Sequence, residues 1–259
     1  MSFLTTIFHI REFLFPLGCG GCGEALQSPE DSTFGLCKEC RTIFFSVLET
    51  GSRCKICGKP LITEKNTCIS CRKIEESGGG KYSDEIERLY TFFPYTGKFK
   101  EILGSYKFKK FFRVGNFLAL CLDSAINDLK NEIFSPETNT DAAWVPVPPR
   151  LGKIKKQGWD QIEFLAKQLE IKHKHLRLSG KSLPVHRCLK RLASRSQKEL
   201  NREERKTNLK GRILCTKPPP QTAILFDDVI TTGATLNACA EALLKGGTKK
   251  VYGVCIFYD

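Results

Sequence analysis

Long apolar runs are missing from this chain of 259 residues. Nothing in it approaches the roughly 18 consecutive apolar residues that a helix needs to cross a bilayer, so no membrane span is expected. Residues 3–15 are apolar but are interrupted by His9, Arg11 and Glu12, and no basic segment precedes them. They make a poor secretory leader. An amphipathic helix ending before Pro16 fits them better, and the chain is expected to be cytoplasmic. Histidine is scarce, at 4 residues, and no Ser–His or Cys–His constellation stands out, so covalent catalysis by an activated side chain is not expected.

Acidic residues are scarce where basic ones are dense. The formal net charge is +13, but it is unevenly placed. Residues 1–77 carry 9 basic and 9 acidic side chains, residues 78–149 again 9 and 9, and residues 218–259 carry 3 and 4. Residues 150–217 carry 20 and 6. That one segment accounts for the excess, and its field should draw polyanions such as pyrophosphate, nucleotides or single-stranded nucleic acid.

Cysteine, by contrast, is abundant, at 13 residues. In a cytoplasmic chain this is not a disulfide framework. Eight of them form Cys-x-x-Cys pairs: Cys19/Cys22, Cys37/Cys40, Cys54/Cys57 and Cys68/Cys71. Fourteen residues separate the first two pairs and ten the last two. A two-residue gap puts both thiolates on one metal through a tight turn, and Gly20, Gly21, Gly23 and Gly58 supply the backbone freedom. A redox dithiol would not recur four times, and ferredoxin spacing is tighter. Four pairs therefore predict two all-cysteine structural zinc sites with no open position. Consecutive pairs sharing a metal is the default, with crossed pairing left open. Ile43, Phe44, Phe45, Val47 and Leu48 are expected to pack the two halves together. Cys121, Cys188, Cys215, Cys239 and Cys255 are expected to act as small core residues.

The stretch that organises the rest is residues 222–235, Thr-Ala-Ile-Leu-Phe-Asp-Asp-Val-Ile-Thr-Thr-Gly-Ala-Thr. Ala223 to Phe226 predict one buried strand of a parallel sheet, ending at Asp227 and Asp228. Two carboxylates at a buried strand end are costly unless something uses them. A turn of hydroxyls and one glycine follows, Thr231-Thr232-Gly233-Ala234-Thr235, and then Leu236, Cys239, Leu243 and Leu244 at helical spacing, stopped by Gly246-Gly247. Such a turn delivers unpaired amides to a helix start, which is an anion site. Acidic residues beside it suit ribose hydroxyls or a magnesium ion. Together they describe a phosphorylated ribose. It is not a Walker loop, because no Gly-Lys-Ser/Thr follows this turn.

Elsewhere the reading is coarser. Residues 72–84, with Gly78-Gly79-Gly80, predict a linker between residues 1–77 and 78–259. Leu89–Phe93 predicts a strand, 99–106 a short helix, and Val114 to Leu129 a second helix. Between those helices, Tyr106 to Arg113 interleaves rings and cations. A helix–helix corner is expected there, although the same pattern could stack single-stranded nucleic acid. Ala142–Val147 predicts a buried strand running into Pro148, Pro149 and Arg150, a stiff cationic turn suited to pyrophosphate. Gln157-Gly158-Trp159-Asp160-Gln161 opens a helix with Asp160 as cap. Residues 188–209 predict a solvated helix, a mobile loop, or a lid carrying Arg195, Gln197, Arg205 and Asn208 over a bound pyrophosphate. Lys249–Phe257 supplies a last strand.

Ile224–Thr235 resembles the phosphoribosyl pyrophosphate (PRPP) signature of type I phosphoribosyltransferases, with Phe226 in place of a smaller aliphatic residue. Four Cys-x-x-Cys pairs, Tyr106-Lys107-Phe108, the Val145-Pro146-Val147-Pro148 strand end and the Arg195/Gln197/Arg205/Asn208 segment accompany it. Nearly end to end, the chain is similar to the ComF family of competence proteins. The resemblance implies an α/β fold, a type I phosphoribosyltransferase-like parallel sheet flanked by helices, behind a small double zinc-ribbon module. It implies PRPP bound with Mg2+: Asp227 and Asp228 on the ribose hydroxyls, and Thr231, Thr232, Gly233, Ala234 and Thr235 on the phosphate. It further implies a pyrophosphate loop at Pro148, Pro149 and Arg150, anion contacts from Lys107, Arg195 and Arg205, and a link to uptake of single-stranded DNA by the uptake machinery. The family commonly has Arg-Gly-Phe-Asn-Gln where this chain has Gln157 to Gln161. An arginine is lost and a carboxylate replaces an amide, and Lys155 and Lys156 are the candidates to compensate.

Overall fold

The structure, a computed structural model, describes residues 17–48, 52–61, 63–76, 85–133, 141–176, 183–192 and 211–259. The helix expected over 3–15 lies outside them, as do Arg195, Gln197, Arg205 and Asn208. In chain order the elements are α1 (Pro29–Phe34), α2 (Lys38–Leu48), α3 (Ile69–Glu76), β1 (Arg88–Pro94), α4 (Gly97–Lys109), α5 (Phe112–Ile133), β2 (Ala142–Pro146), α6 (Lys153–Gln157), α7 (Gln161–Leu176), β3 (Leu189–Arg191), β4 (Ile213–Cys215), β5 (Thr222–Ile230), α8 (Ala234–Lys245) and β6 (Lys250–Tyr258). No helix among the described residues is long and apolar enough to cross a membrane.

Four strands form a parallel sheet in the order β1-β6-β5-β2. Their apolar runs are buried on both faces, the pattern a parallel sheet covered by helices requires. Side chains alternate along β5. Ile224 and Phe226 enter one core with Ile162, Leu165, Ala166 and Leu169 of α7. Ala223 and Leu225 enter the other with Leu236, Cys239, Ala240 and Leu243 of α8. Helices α7 and α8 thus cover opposite faces. Their connections diverge, and a crevice opens beyond the carboxyl ends of β2 and β5.

β5 does not stop at Phe226. It runs through the acidic pair to Ile230, because β6 continues beside it, with Asp227 opposite Cys255 and Val229 opposite Phe257. β2 ends opposite Phe226, so one edge of β5 lies open from Asp227 onward.

The cysteine half is joined to this sheet by shared packing. Ile43 and Phe45 are 37% and 43% exposed, so the expected seam between the two cysteine clusters is not where α2 buries its rings. Phe44 instead points into the sheet's core. It meets Phe93, Phe99 and Phe117 edge-on at centroid distances of 4.6, 4.9 and 5.0 Å. Edge-on ring pairs each add about 0.5–1.5 kcal/mol beyond area burial. Truncating so buried a ring costs about 3–5 kcal/mol. The expected linker also starts later than 72, because α3 continues to Glu76; Cys71 lies in the first turns of that helix and ties it to the second cluster.

The segment expected as a solvated helix or loop after residue 188 begins as a strand. β3 pairs antiparallel with β4, Leu189 opposite Cys215 and Arg191 opposite Ile213. Cys188 and Ile213 are buried in the α8-side core and anchor this ribbon, which offsets the charge density read from the sequence. The Tyr106–Arg113 stretch is a helix–helix corner as expected, with Lys110 in the left-handed conformation at the end of α4.

Candidate functional site

Two clusters of four cysteines are assembled from consecutive pairs: Cys19, Cys22, Cys37 and Cys40, and Cys54, Cys57, Cys68 and Cys71. In each, the four sulfurs lie within 4.8 Å of one another. Cys22 and Cys37 sulfurs are 3.7 Å apart, as are those of Cys57 and Cys68. A tetrahedral zinc with ~2.3 Å bonds places its sulfurs about 3.8 Å apart, so the donor sets fit Zn2+. Backbone amides of Gly21 and Cys37 donate to the Cys19 sulfur, and that of Cys68 to the Cys54 sulfur, each at 3.3 Å. Such donors stabilise thiolate charge. All four positions of each site are filled by cysteine, so both metals are structural.

The clusters are held against the sheet by different walls. In the first, Gly20 and Gly35 lie against Val114 and Arg113 at the start of α5, and Gly21 against Ile102 of α4. Arg113 donates to the carbonyl and hydroxyl of Ser32 at 3.1 and 2.9 Å. In the second, Gly58 has φ +68°, and a Cβ there would sit 2.8 Å from the backbone of Leu89, Tyr90 and Thr91. The Thr91 hydroxyl donates to the Cys57 carbonyl at 2.8 Å.

Beyond the ends of β2 and β5 lies a cleft of about 960 Å³. Val147, Pro148, Pro149 and Arg150 line one side, Thr231 to Thr235 another, and Lys107, Phe108 and Trp159 a third. The expected pyrophosphate turn, acidic pair and hydroxyl turn therefore share one cavity. Gly233 is the N-cap of α8, with φ +76°. The Thr232 hydroxyl accepts from the Ala234 amide at 3.4 Å. Among the described residues, no backbone carbonyl accepts from the amides of Thr231, Thr232 or Gly233. This is a helix start whose leading amides are not taken by backbone carbonyls, where an anion is favoured.

The acidic pair is not a matched jaw. Lying within a strand, Asp227 and Asp228 project to opposite faces of the sheet. Asp228 turns toward α4, where the Lys107 ammonium meets it at 2.9 Å. Burial works against the Lys107 charge, but Asp228 and then Asp227 more than offset it and hold its pKa above the usual lysine value. Asp227 turns toward α8 and accepts from the Asp228 amide at 2.8 Å. Burial, then the charge of Asp228, pushes its carboxyl up to about 7.

Several lining residues carried no signal in the sequence. Arg191 of β3 is buried and lines the cleft; burial, then the Arg150 charge, lowers its pKa. In the sequence it is one cation among many, and only strand pairing shows that it points inward. Lys153 is bound to Asp160 at 2.6 Å and also to Gln161. Asp160 caps α7 as expected, accepting from the amides of Ile162 and Glu163 at 2.9 and 3.0 Å. Lys156 lines the cleft while Lys155 does not. Trp159 packs edge-on against Tyr106 and Phe112 at 5.4 and 5.1 Å.

A family model described as a double zinc ribbon domain matches residues 10–76. Over most of its length the chain is similar to Competence protein F of Haemophilus influenzae, 26% identical over 224 residues covering 84% of this chain and 87% of that protein. It is also similar to Competence protein ComFC of Streptococcus pneumoniae, 25% identical over 217 residues covering 83% and 84%. A third relative is Competence protein ComFC of Bacillus subtilis, 26% identical over 219 residues covering 82% and 79%. Coverage of about four fifths or more on both sides, a matching ribbon domain and two four-cysteine sites joined to a parallel α/β sheet make the chain similar to the ComF and ComFC competence proteins.

Proposed function

We propose that the cleft binds PRPP and that the chain is a phosphoribosyltransferase-type protein acting in a competence-related process. The observation that carries this reading is the turn Thr231–Gly233. Its amides have no carbonyl partner among the described residues, at the start of α8, in the same cleft as Asp227, Asp228 and Arg150. The 5-phosphate would sit on the turn and the ribose hydroxyls against Asp227 and Asp228. Pro148, Pro149, Arg150 and Arg191 would face the diphosphate, with Arg195 and Arg205 as candidates from outside the described residues. Residues 1–77 would buttress the half formed by 78–259.

In transfer, an acceptor nitrogen forms a bond to the anomeric carbon as the bond to diphosphate breaks. The electron pair leaves on diphosphate, and the acceptor proton passes to solvent. The cations lining the cleft stabilise the departing charge, so no side-chain nucleophile is required. Calorimetry of PRPP against the wild-type chain and an Asp227→Ala/Asp228→Ala variant tests the reading. Binding at micromolar to millimolar strength, about −4 to −8 kcal/mol, is expected for wild type alone. Equal heats for both proteins would end the assignment.

A second reading is supported by the cleft's rim. Phe108 is 76% exposed and lies between Lys107 and the Lys109–Lys110 pair, near Trp159. Rings interleaved with cations suit single-stranded nucleic acid, and the relatives are named as competence proteins. Here the chain would bind single-stranded DNA without transferring a ribosyl group, with PRPP as regulator or the site as a remnant. Fluorescence anisotropy of labelled single-stranded DNA should show affinity falling steeply between about 50 and 200 mM salt. Binding that ignores salt would count against it.

Magnesium fits the acidic pair poorly. Asp228 already holds an ammonium at 2.9 Å, and burial, then the charge of Asp228, raises the pKa of Asp227, which favours its neutral form over a metal-binding carboxylate.

A further inference from the structure

We propose that Lys107 stands in for a divalent cation, so that the cleft holds a sugar phosphate at the acidic pair without Mg2+. The proposal deepens the sugar-phosphate reading above and depends on it. Three observations carry it. The Lys107 ammonium lies 2.9 Å from an Asp228 carboxylate oxygen, and the two side chains are only 19% and 6% exposed. An ion bridging Asp228 and a ligand would have to displace that ammonium or sit against it, and like charges at such a distance repel strongly in a partly buried site. The cleft is also already cationic. Lys107, Lys110, Arg150, Lys153, Lys156 and Arg191 line it, against the carboxylates of Asp160, Asp227 and Asp228. Lys153 is bound to Asp160, and the lining cations outnumber the lining carboxylates. A polyanion therefore meets a neutralising field before any metal arrives.

Lys107 is also set by the fold. It lies in the last turn of α4, whose neighbouring Tyr106 is bonded to the start of α7. The lysine is a positioning residue: it orients the Asp228 carboxylate, whose other oxygen would accept from ribose hydroxyls.

The test uses the zinc-loaded full chain and ribose 5-phosphate, which lacks a diphosphate that would carry its own metal. Calorimetry is run in metal-depleted buffer without chelator, to spare the zinc sites, and then with millimolar Mg2+. PRPP is titrated in parallel. Wild type is expected to bind ribose 5-phosphate equally in both buffers. Lys107→Met is expected to lose about tenfold or more without Mg2+ and to regain it with Mg2+, as deletion of a charge-assisted contact would require. Lys107→Arg should behave as wild type. Strict dependence of wild-type binding on Mg2+ would overturn the proposal while leaving the PRPP reading intact, and this arm needs no variant to fold. Mg2+-insensitive wild-type strength in Lys107→Met would overturn it too. Failure of both ligands to bind wild type in either buffer would overturn this proposal and the PRPP reading together.

Discussion

The Tyr106 hydroxyl donates to the Gln161 carbonyl at 2.6 Å, tying the end of α4 to the first residue of α7. Burial, then the charges of Asp228 and Asp160, keeps the phenol protonated far above neutral pH. The bond joins two walls of the cleft, with Trp159 wedged beside it. Tyr106→Phe keeps the ring and removes the bond. It should cost about 1 kcal/mol of stability, since the carbonyl is left partly unsatisfied. Ligand affinity should fall more than this small loss of folding stability would explain, because the wall carrying Lys107 loosens. Urea denaturation and ribose 5-phosphate calorimetry on the same sample check both; unchanged affinity would mean that the walls are held by packing alone.

Gly58 couples the second zinc site to the sheet. Its positive φ and the 2.8 Å approach to the β1 backbone leave no room for a side chain. Gly58→Ala should destabilise by about 2–4 kcal/mol, the range for overpacking combined with backbone strain. Zinc at the second site should become more accessible to a chromophoric chelator, while the first site, docked on α4 and α5, keeps its release rate. Equal acceleration at both would show that the clusters are coupled to each other and not separately to the sheet.

Asp227 should leave a mark on the pH dependence of stability. Its carboxyl is pushed up to about 7 in the folded chain, against about 3.9 when unfolded. Between those values the folded state holds a proton that the unfolded state has released. Stability contributed at this position therefore falls as pH rises from about 4 to 7, and the cost is complete above 7. Asp227→Asn removes the titration. Relative to wild type it should gain stability on going from pH 4.5 to pH 8, read by denaturant midpoints at each pH. A difference that does not change with pH would show that the carboxyl is ionised throughout. A ligand that hydrogen-bonds the ionised form should also release a proton on binding near pH 7, visible as buffer-dependent heats.

The metal sites and the strand–turn–helix around residues 222–245 were legible in the chain because their chemistry is local. A two-residue cysteine gap constrains its own turn, and apolar period, hydroxyls and Gly233 specify a helix start without help from elsewhere. Zinc pairing was open in the sequence and was settled by which knuckles face each other. The extension of β5 through Asp227 and Asp228 was hidden, because carboxylates look like a strand end until β6 is seen to continue beside them. The opposite projection of the two acids follows from that pairing alone. Phe44 was legible as apolar but not as a bridge into the sheet, and Arg191 not as a lining residue, since each depends on a partner far away in the chain. The contact between Lys107 and Asp228 spans 121 positions. Nothing local encodes it, for a lysine at a helix end is an ordinary solvated cation until folding sets a buried carboxylate before it.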